Sequence, residues 1–196
     1  IVIGGLGFVV ISDIFSARVR PQMKKQHVHA LQFHSQIVLR TTLWLIVAGT
    51  VLFFICEKLD ASLFQSVTAR TAGFNTVDTA SELDLTKLID VFFMFIGASP
   101  ASTGGGIKTT TLVVLVTAVL SVVRGNDDAV VLKRRLDKFT VYRAMAILTL
   151  GVLVVIVTAG IIMTTNSSTS GVDALFEATS AFGTVGLTAN VTPTLT

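Results

Sequence analysis

Two short stretches of this chain end in the same chemistry. Residues 62–74 read Ser-Leu-Phe-Gln-Ser-Val-Thr-Ala-Arg-Thr-Ala-Gly-Phe, and residues 174–187 read Ala-Leu-Phe-Glu-Ala-Thr-Ser-Ala-Phe-Gly-Thr-Val-Gly-Leu. Both carry Leu-Phe followed by Gln or Glu, then a Thr/Ser-Ala step, then Thr-Ala-Gly-Phe or Thr-Val-Gly-Leu, with one residue of slip between the helical part and the glycine. About ten residues of helix reach roughly 15 Å, half a bilayer, so such a segment enters an apolar layer without crossing it. Non-helical backbone at that depth is tolerated only where protein encloses it or where it lines a watery cavity. A glycine there takes dihedrals closed to other residues and turns carbonyls inward. Inward carbonyls replace the hydration shell of a cation, and the negative C-terminal end of the short helix adds attraction. The expected chemistry is coordination of a dehydrated monovalent cation by Thr71, Ala72, Gly73 and Phe74 on one side and by Thr184, Val185, Gly186 and Leu187 on the other. A pair of amphipathic surface turns is the plainer alternative; recurrence at the same topological place weighs against it.

The elements that must hold these turns are apolar. The 196 residues are 52% hydrophobic and 14% charged, with a mean hydropathy of +0.77. Soluble domains are nearer a quarter charged, so the composition is that of an integral membrane protein, and it excludes disorder. Residues 144–166 are uncharged and long enough for one tilted span, and 41–56, bracketed by Arg40 and Glu57, make a second with their flanks. Residues 85–123 are apolar at both ends and interrupted at 97–106, which reads as one segment made of two half-helices. Residues 1–11 are apolar but too short to span; they read as the end of a helix rather than as a signal peptide.

Basic residues give the sidedness. Arg18, Arg20, Lys24, Lys25 and Arg40 fall in one connection, and Arg124, Lys133, Arg134, Arg135, Lys138 and Arg143 in another. The connections 57–84 and 167–183 hold Lys58 and Arg70 against Glu57, Asp60, Asp78, Glu82, Asp84, Asp173 and Glu177. The positive-inside rule places the first pair in the cytoplasm and the second outside. The net charge of +3 is thus explained by topology and lipid headgroups, not by nucleic acid.

Other residue groups have types that could carry chemistry. Gly97-Ala98-Ser99-Pro100-Ala101-Ser102-Thr103-Gly104-Gly105-Gly106-Ile107-Lys108-Thr109 looks like a phosphate-binding loop, but Ile107 separates Gly106 from Lys108 where the nucleotide motif needs them contiguous. A run of small polar residues at membrane depth must instead face a cavity, unless it is only a kink. Arg70, beside the first turn, either snorkels outward or braces the turn against an acid such as Glu177; the cost of an unpaired intramembrane charge favours bracing. Asp90 begins a half-helix, where the dipole favours an acid, and no role attaches to it. His27, His29 and His34 lack the carboxylate or Cys neighbours of a closed metal site. The single Cys56 excludes an internal disulfide. Asn166-Ser167-Ser168 and Asn190-Val191-Thr192 match the glycosylation pattern. No Ser/His/Asp grouping or paired acids point to an enzyme.

Residues 68–74, 180–187 and 97–109, in that order, resemble the motifs of the Trk/Ktr/HKT superfamily of cation transporters, most of all the Ktr-type (KtrB-like) potassium-uptake membrane subunits; Gly4-Gly5-Leu6-Gly7-Phe8 is similar to the end of that family's second repeat. The resemblance implies an all-α integral membrane fold of span, pore helix, re-entrant filter loop and span, repeated four times around one pore. By that pattern 1–40 are the end of repeat two with a cytoplasmic connection, and 41–123 are repeat three, with pore helix 61–70, filter 71–74 and broken span 85–123. Residues 124–143 are a second connection. Residues 144–196 are repeat four without its last span, with span 144–166, pore helix 172–182 and filter 184–187. The resemblance also implies potassium as the transported ion, since glycine at the filter positions accompanies potassium and serine accompanies sodium. It further implies sodium as an activating ion and a gate below the filter formed by Ser102, Thr103, Gly104, Gly105 and Gly106, with Lys108 at its inner edge. The implied setting is the bacterial cytoplasmic membrane, a homodimer and a nucleotide-binding regulatory subunit of KtrA type; the basic connections 18–40 and 124–143 are candidate docking surfaces for it, with ordinary topology determinants as the equal alternative. A nucleotide-dependent pump or enzyme using 97–109, and a non-conducting membrane scaffold, are the competing readings.

Overall fold

The computed structural model describes residues 2–19, 31–57, 62–70, 72–74, 79, 81–126, 128–132, 134–166 and 169–192. His27 and His29 lie outside them, as does Thr71. Helices fill the apolar stretches. The chain opens with α1 (Val2–Leu6) and α2 (Phe8–Val19), broken at Gly7 with φ +82°. A side chain at Gly7 would overlap the Pro100 carbonyl, and this close approach lets Phe8 N–H reach the Ala101 carbonyl at 3.1 Å. α2 continues past the apolar stub through Asp13 to Val19.

Next come α3 (Phe33–Glu57), the short α4 (Ser62–Thr68), α5 (Asp84–Phe95) and α6 (Thr109–Val123). A two-stranded ribbon, β1 (Val130–Val131) and β2 (Arg134–Arg135), follows, then α7 (Lys138–Thr165) and α8 (Gly171–Gly183). The ribbon qualifies the all-helical expectation: Val130 pairs with Arg135 and Val131 with Arg134, antiparallel. Two β-branched valines and the Leu132 turn at φ 46° favour that local reversal. α7 begins six residues before the uncharged stretch, because Lys138 and Arg143 sit on exposed positions where a helix tolerates them. α3 and α7 are each long and apolar enough to cross a membrane, and much of their apolar surface faces outward, Trp44 at 76% and Leu150 at 64% exposure. Apolar exposure of that extent belongs in lipid or against further protein.

The interior packs around α5 and α8. Phe53, Phe93, Met94 and Phe176 form a buried cluster with Val185, Leu187 and Ala189, the residues just after α8. Phe95 stacks on Phe182 at 5.5 Å. α4 lies against α3 where Gly49 leaves room for Ser66, whose hydroxyl donates to the Ile46 carbonyl at 3.0 Å. α5 carries a polar link to each short helix. Lys87 Nζ pairs with Asp173 of α8 at 2.7 Å, with the Lys87 side chain only 7% exposed. The Asp90 carboxylate accepts from Gln65 Nε2 of α4 at 3.1 and 3.3 Å. Removing one partner of a buried ion pair leaves the other charge uncompensated. Lys87→Met is therefore expected to destabilise the protein by roughly 2 kcal/mol, less than for a fully buried pair because Asp173 keeps some solvent. Adding Asp173→Leu should restore most of the loss, read as thermal unfolding midpoints in detergent.

Candidate functional site

Each short helix ends in a turn closed by a side-chain clasp. At the end of α4, Ala72 and Gly73 N–H groups donate to the Thr68 carbonyl at 3.1 and 3.3 Å. The Thr68 hydroxyl then donates forward to the Phe74 carbonyl at 3.0 Å. At the end of α8, Thr184 N–H reaches Ala181 O at 3.1 Å and Val185 N–H reaches Ser180 O at 2.9 Å. The Ser180 hydroxyl donates to the Leu187 carbonyl at 2.6 Å. The same clasp thus spans six residues in one turn and seven in the other, which is the single-residue slip between the two sequences. Gly73 (φ +63°) and Gly186 (φ +90°) both adopt the left-handed backbone, which L side chains rarely enter.

The turns touch. A side chain at Gly73 would collide with the Val185 carbonyl and come within 3.3 Å of Gly186 Cα. Thr79, after the first turn, donates to the Thr188 carbonyl at 2.5 Å, tying together the segments that follow both turns. Ala72 and Gly73 are half-buried and Phe74 is exposed; Val185 and Leu187 are buried while Thr184 and Gly186 are open.

Glu177 and Arg70 are not partners, contrary to the bracing expectation. The buried Glu177 carboxylate is taken up by the segment after its own turn: Oε1 accepts from Thr188 Oγ1 and from the N–H groups of Ala189 (3.0 Å), Val191 and Thr192 (3.3 Å each), and Oε2 from Thr192 Oγ1 at 2.6 Å. A cluster of main-chain donors within a few residues out-competes a distant guanidinium for a carboxylate. Arg70 turns instead toward α3, donating to the Thr42 carbonyl at 3.5 Å, and its Nε has no partner among the described residues. It lines a small cavity with Val2, Gly5, Thr42, Ile46, Val67 and Ala98.

The loop between α5 and α6 folds back on itself. Ile96 and Ile107 bridge in parallel, Ile107 N–H donates to Phe95 O at 3.0 Å, and Thr109 N–H to Ala98 O at 3.3 Å. Its glycines seat against the end of α8: Gly105 N–H donates to Thr184 Oγ1 at 2.8 Å and Gly106 N–H to Phe182 O at 3.3 Å. Lys108 Nζ donates to the Gly104 carbonyl. Ser102 bonds back to the Ser99 carbonyl, and Thr103 is exposed.

Sequence reasoning missed the links from Lys87 and Asp90. Charged residues three apart on a largely apolar helix were the available signal, since such groups in a membrane setting are normally paired. Nothing in the sequence announced that the Thr184 side chain meets Gly105.

The family model described as TrkH, cation transport protein, matches residues 56–194. The chain is 36% identical over 208 residues to the Ktr system potassium uptake protein B of Bacillus subtilis, covering 98% of this chain and 44% of that protein. It is 35% identical to the protein of the same name from Vibrio alginolyticus, over 99% of this chain and 44% of the relative. It is also 35% identical to the potassium/sodium uptake protein NtpJ of Enterococcus hirae, over 100% and 45%. The chain therefore spans less than half the length of these relatives.

The two turn glycines should differ in what they tolerate. Gly186→Ala meets open space and suffers only the backbone penalty, about 1–2 kcal/mol. Gly73→Ala adds a collision with backbone and should lower the unfolding midpoint clearly further in the same assay.

Proposed function

The chain belongs to the TrkH family of cation transport proteins, and we propose that it supplies part of the pore wall of a multi-pass potassium-uptake protein of the bacterial cytoplasmic membrane. In this reading α3 to α6 are one span, pore-helix, span unit, α7 and α8 belong to the next, and the turns after α4 and α8 are two walls of a selectivity filter. The observation that carries it is the contact between those turns, Gly73 against Val185, each behind a short helix and each held by the same hydroxyl clasp. Carbonyls of 71–74 and 184–187 strip and replace the ion's water, and the ends of α4 and α8 add negative potential. Potassium is the ion named for two of the relatives, and potassium with sodium for the third, which fits glycine in both turns.

Sidedness fits as well. Arg134 of one basic connection lies 4.9 Å above the Phe33 ring of the other, so the basic connections share one end of the molecule. Thr79 and Thr188, with Lys87 and Asp173, join the acid-rich segments. The basic end is the cytoplasmic face, where a nucleotide-binding regulatory subunit of KtrA type docks on a homodimer of the full-length protein, with sodium as an activating ion.

The 102–108 loop, Ser102 to Gly106 with Lys108, is the gate. Nucleotide chemistry at this loop is disfavoured because the N–H groups of Gly105, Gly106 and Ile107 are already engaged by Thr184, Phe182 and Phe95; a phosphate cradle needs such groups free.

The test is growth of a potassium-uptake-deficient bacterium on low potassium. The full-length gene should rescue it, and Gly73→Ser should lower the potassium-to-sodium permeability ratio; an unchanged ratio would remove Gly73 from the filter. Deleting 101–106 should raise ion flux, and wild-type flux in that deletion would discard the gate.

A further inference from the structure

We propose that the Thr184 side chain is a latch holding the gate loop against the second filter turn, so that opening the gate and reshaping the filter are one coupled event. This inference rests on the proposed function and adds to it a positioning residue that couples two elements the sequence keeps 79 residues apart.

Thr184 is an unusual choice for its place. It caps α8 in the left-handed conformation, φ 53° and ψ 39°, which a β-branched residue seldom occupies and which costs about 1–2 kcal/mol. A glycine would sit there without that penalty and would leave the turn's own bonds, Thr184 N–H to Ala181 O and Val185 N–H to Ser180 O, intact. What glycine could not supply is the hydroxyl that accepts the Gly105 N–H at 2.8 Å. The loop is fitted to that contact. A Cβ on Gly105 would stand 2.8 Å from both Thr184 Oγ1 and Cγ2 and 2.9 Å from the Gly183 carbonyl. Only a bare α-carbon approaches so closely.

The contacts then run on without a gap. Gly105 touches Thr184; Thr184 is bonded through the chain to Val185; and the Val185 carbonyl lies against Gly73 of the first turn. Packed contacts of this kind have discrete arrangements rather than a continuum. Withdrawing the loop frees the Thr184 hydroxyl and releases its hold on the Gly105 N–H. By linkage, an ion arrangement in the filter that prefers the held cap favours the closed loop to the same degree.

The experiment uses the full-length protein in proteoliposomes, with rubidium uptake as the readout. Thr184→Val keeps the size and branching and removes the acceptor; Thr184→Ser keeps it. Losing one neutral hydrogen bond should raise uptake roughly two- to tenfold for Thr184→Val, and Thr184→Ser, which restores the acceptor, should reverse most of that rise. In the background lacking 101–106, Thr184→Val should add nothing, because its partner is gone. Should Thr184→Val fail to assemble by gel filtration, Thr184→Ala carries the same comparison. Unchanged or reduced uptake with the acceptor removed, or an equal increase in the deletion background, overturns the latch. A wild-type protein with no rubidium uptake would sink the transport reading itself, so the two failures are distinguishable.

Discussion

A peptide group that leaves helical geometry inside an apolar interior must find another partner, because an unpaired one costs several kcal/mol. Three segments here do so: the turns after α4 and α8 and the loop between α5 and α6. Each resolves the problem locally and then leans on a neighbour. The turns use the last carbonyls of their own helices and a serine or threonine hydroxyl. The loop uses Phe95, Ala98, Phe182 and Thr184. These partners leave little freedom in how the three segments sit relative to one another, and the tight glycine contacts follow from that closeness.

α5 is the common reference for both turns. Lys87 and Asp90, one helical turn apart, point polar links to α8 and α4 respectively. A displacement of α5 would therefore strain its links to both short helices at once. Phe93 and Met94 of the same helix sit in the apolar cluster with Val185 and Leu187, so burial and polar pairing fix the same distance. The Glu177 carboxylate does for the stretch 188–192 what a helix cap does for a first turn, gathering the main-chain N–H groups of Ala189, Val191 and Thr192.

Much of this was legible in the amino-acid order. The matched Leu-Phe and Gly turns, the one-residue slip, the long apolar stretches of α3 and α7 and the break at 97–106 are local patterns, and local patterns survive folding. Pairings across the chain were not legible. The cost of an unpaired intramembrane charge pointed Arg70 toward an acid such as Glu177, yet main-chain donors a dozen residues along take up the Glu177 carboxylate. Arg70 is held by an α3 carbonyl that no pattern marks. Gly49 reads as an ordinary helical glycine until Ser66 is placed beside it. The Thr184 cap contradicts its own propensity, and only the neighbouring Gly105 explains the choice.

The clasps enclose unequal perimeters. From Thr68 to Phe74 and from Ser180 to Leu187 the same bond closes rings that differ by one residue, so the two turns cannot offer mirror-image sets of oxygens. In the proposed filter, an ion between the turns would therefore meet unlike arrays of oxygens from its two sides, a cage without the symmetry that identical rings would give it.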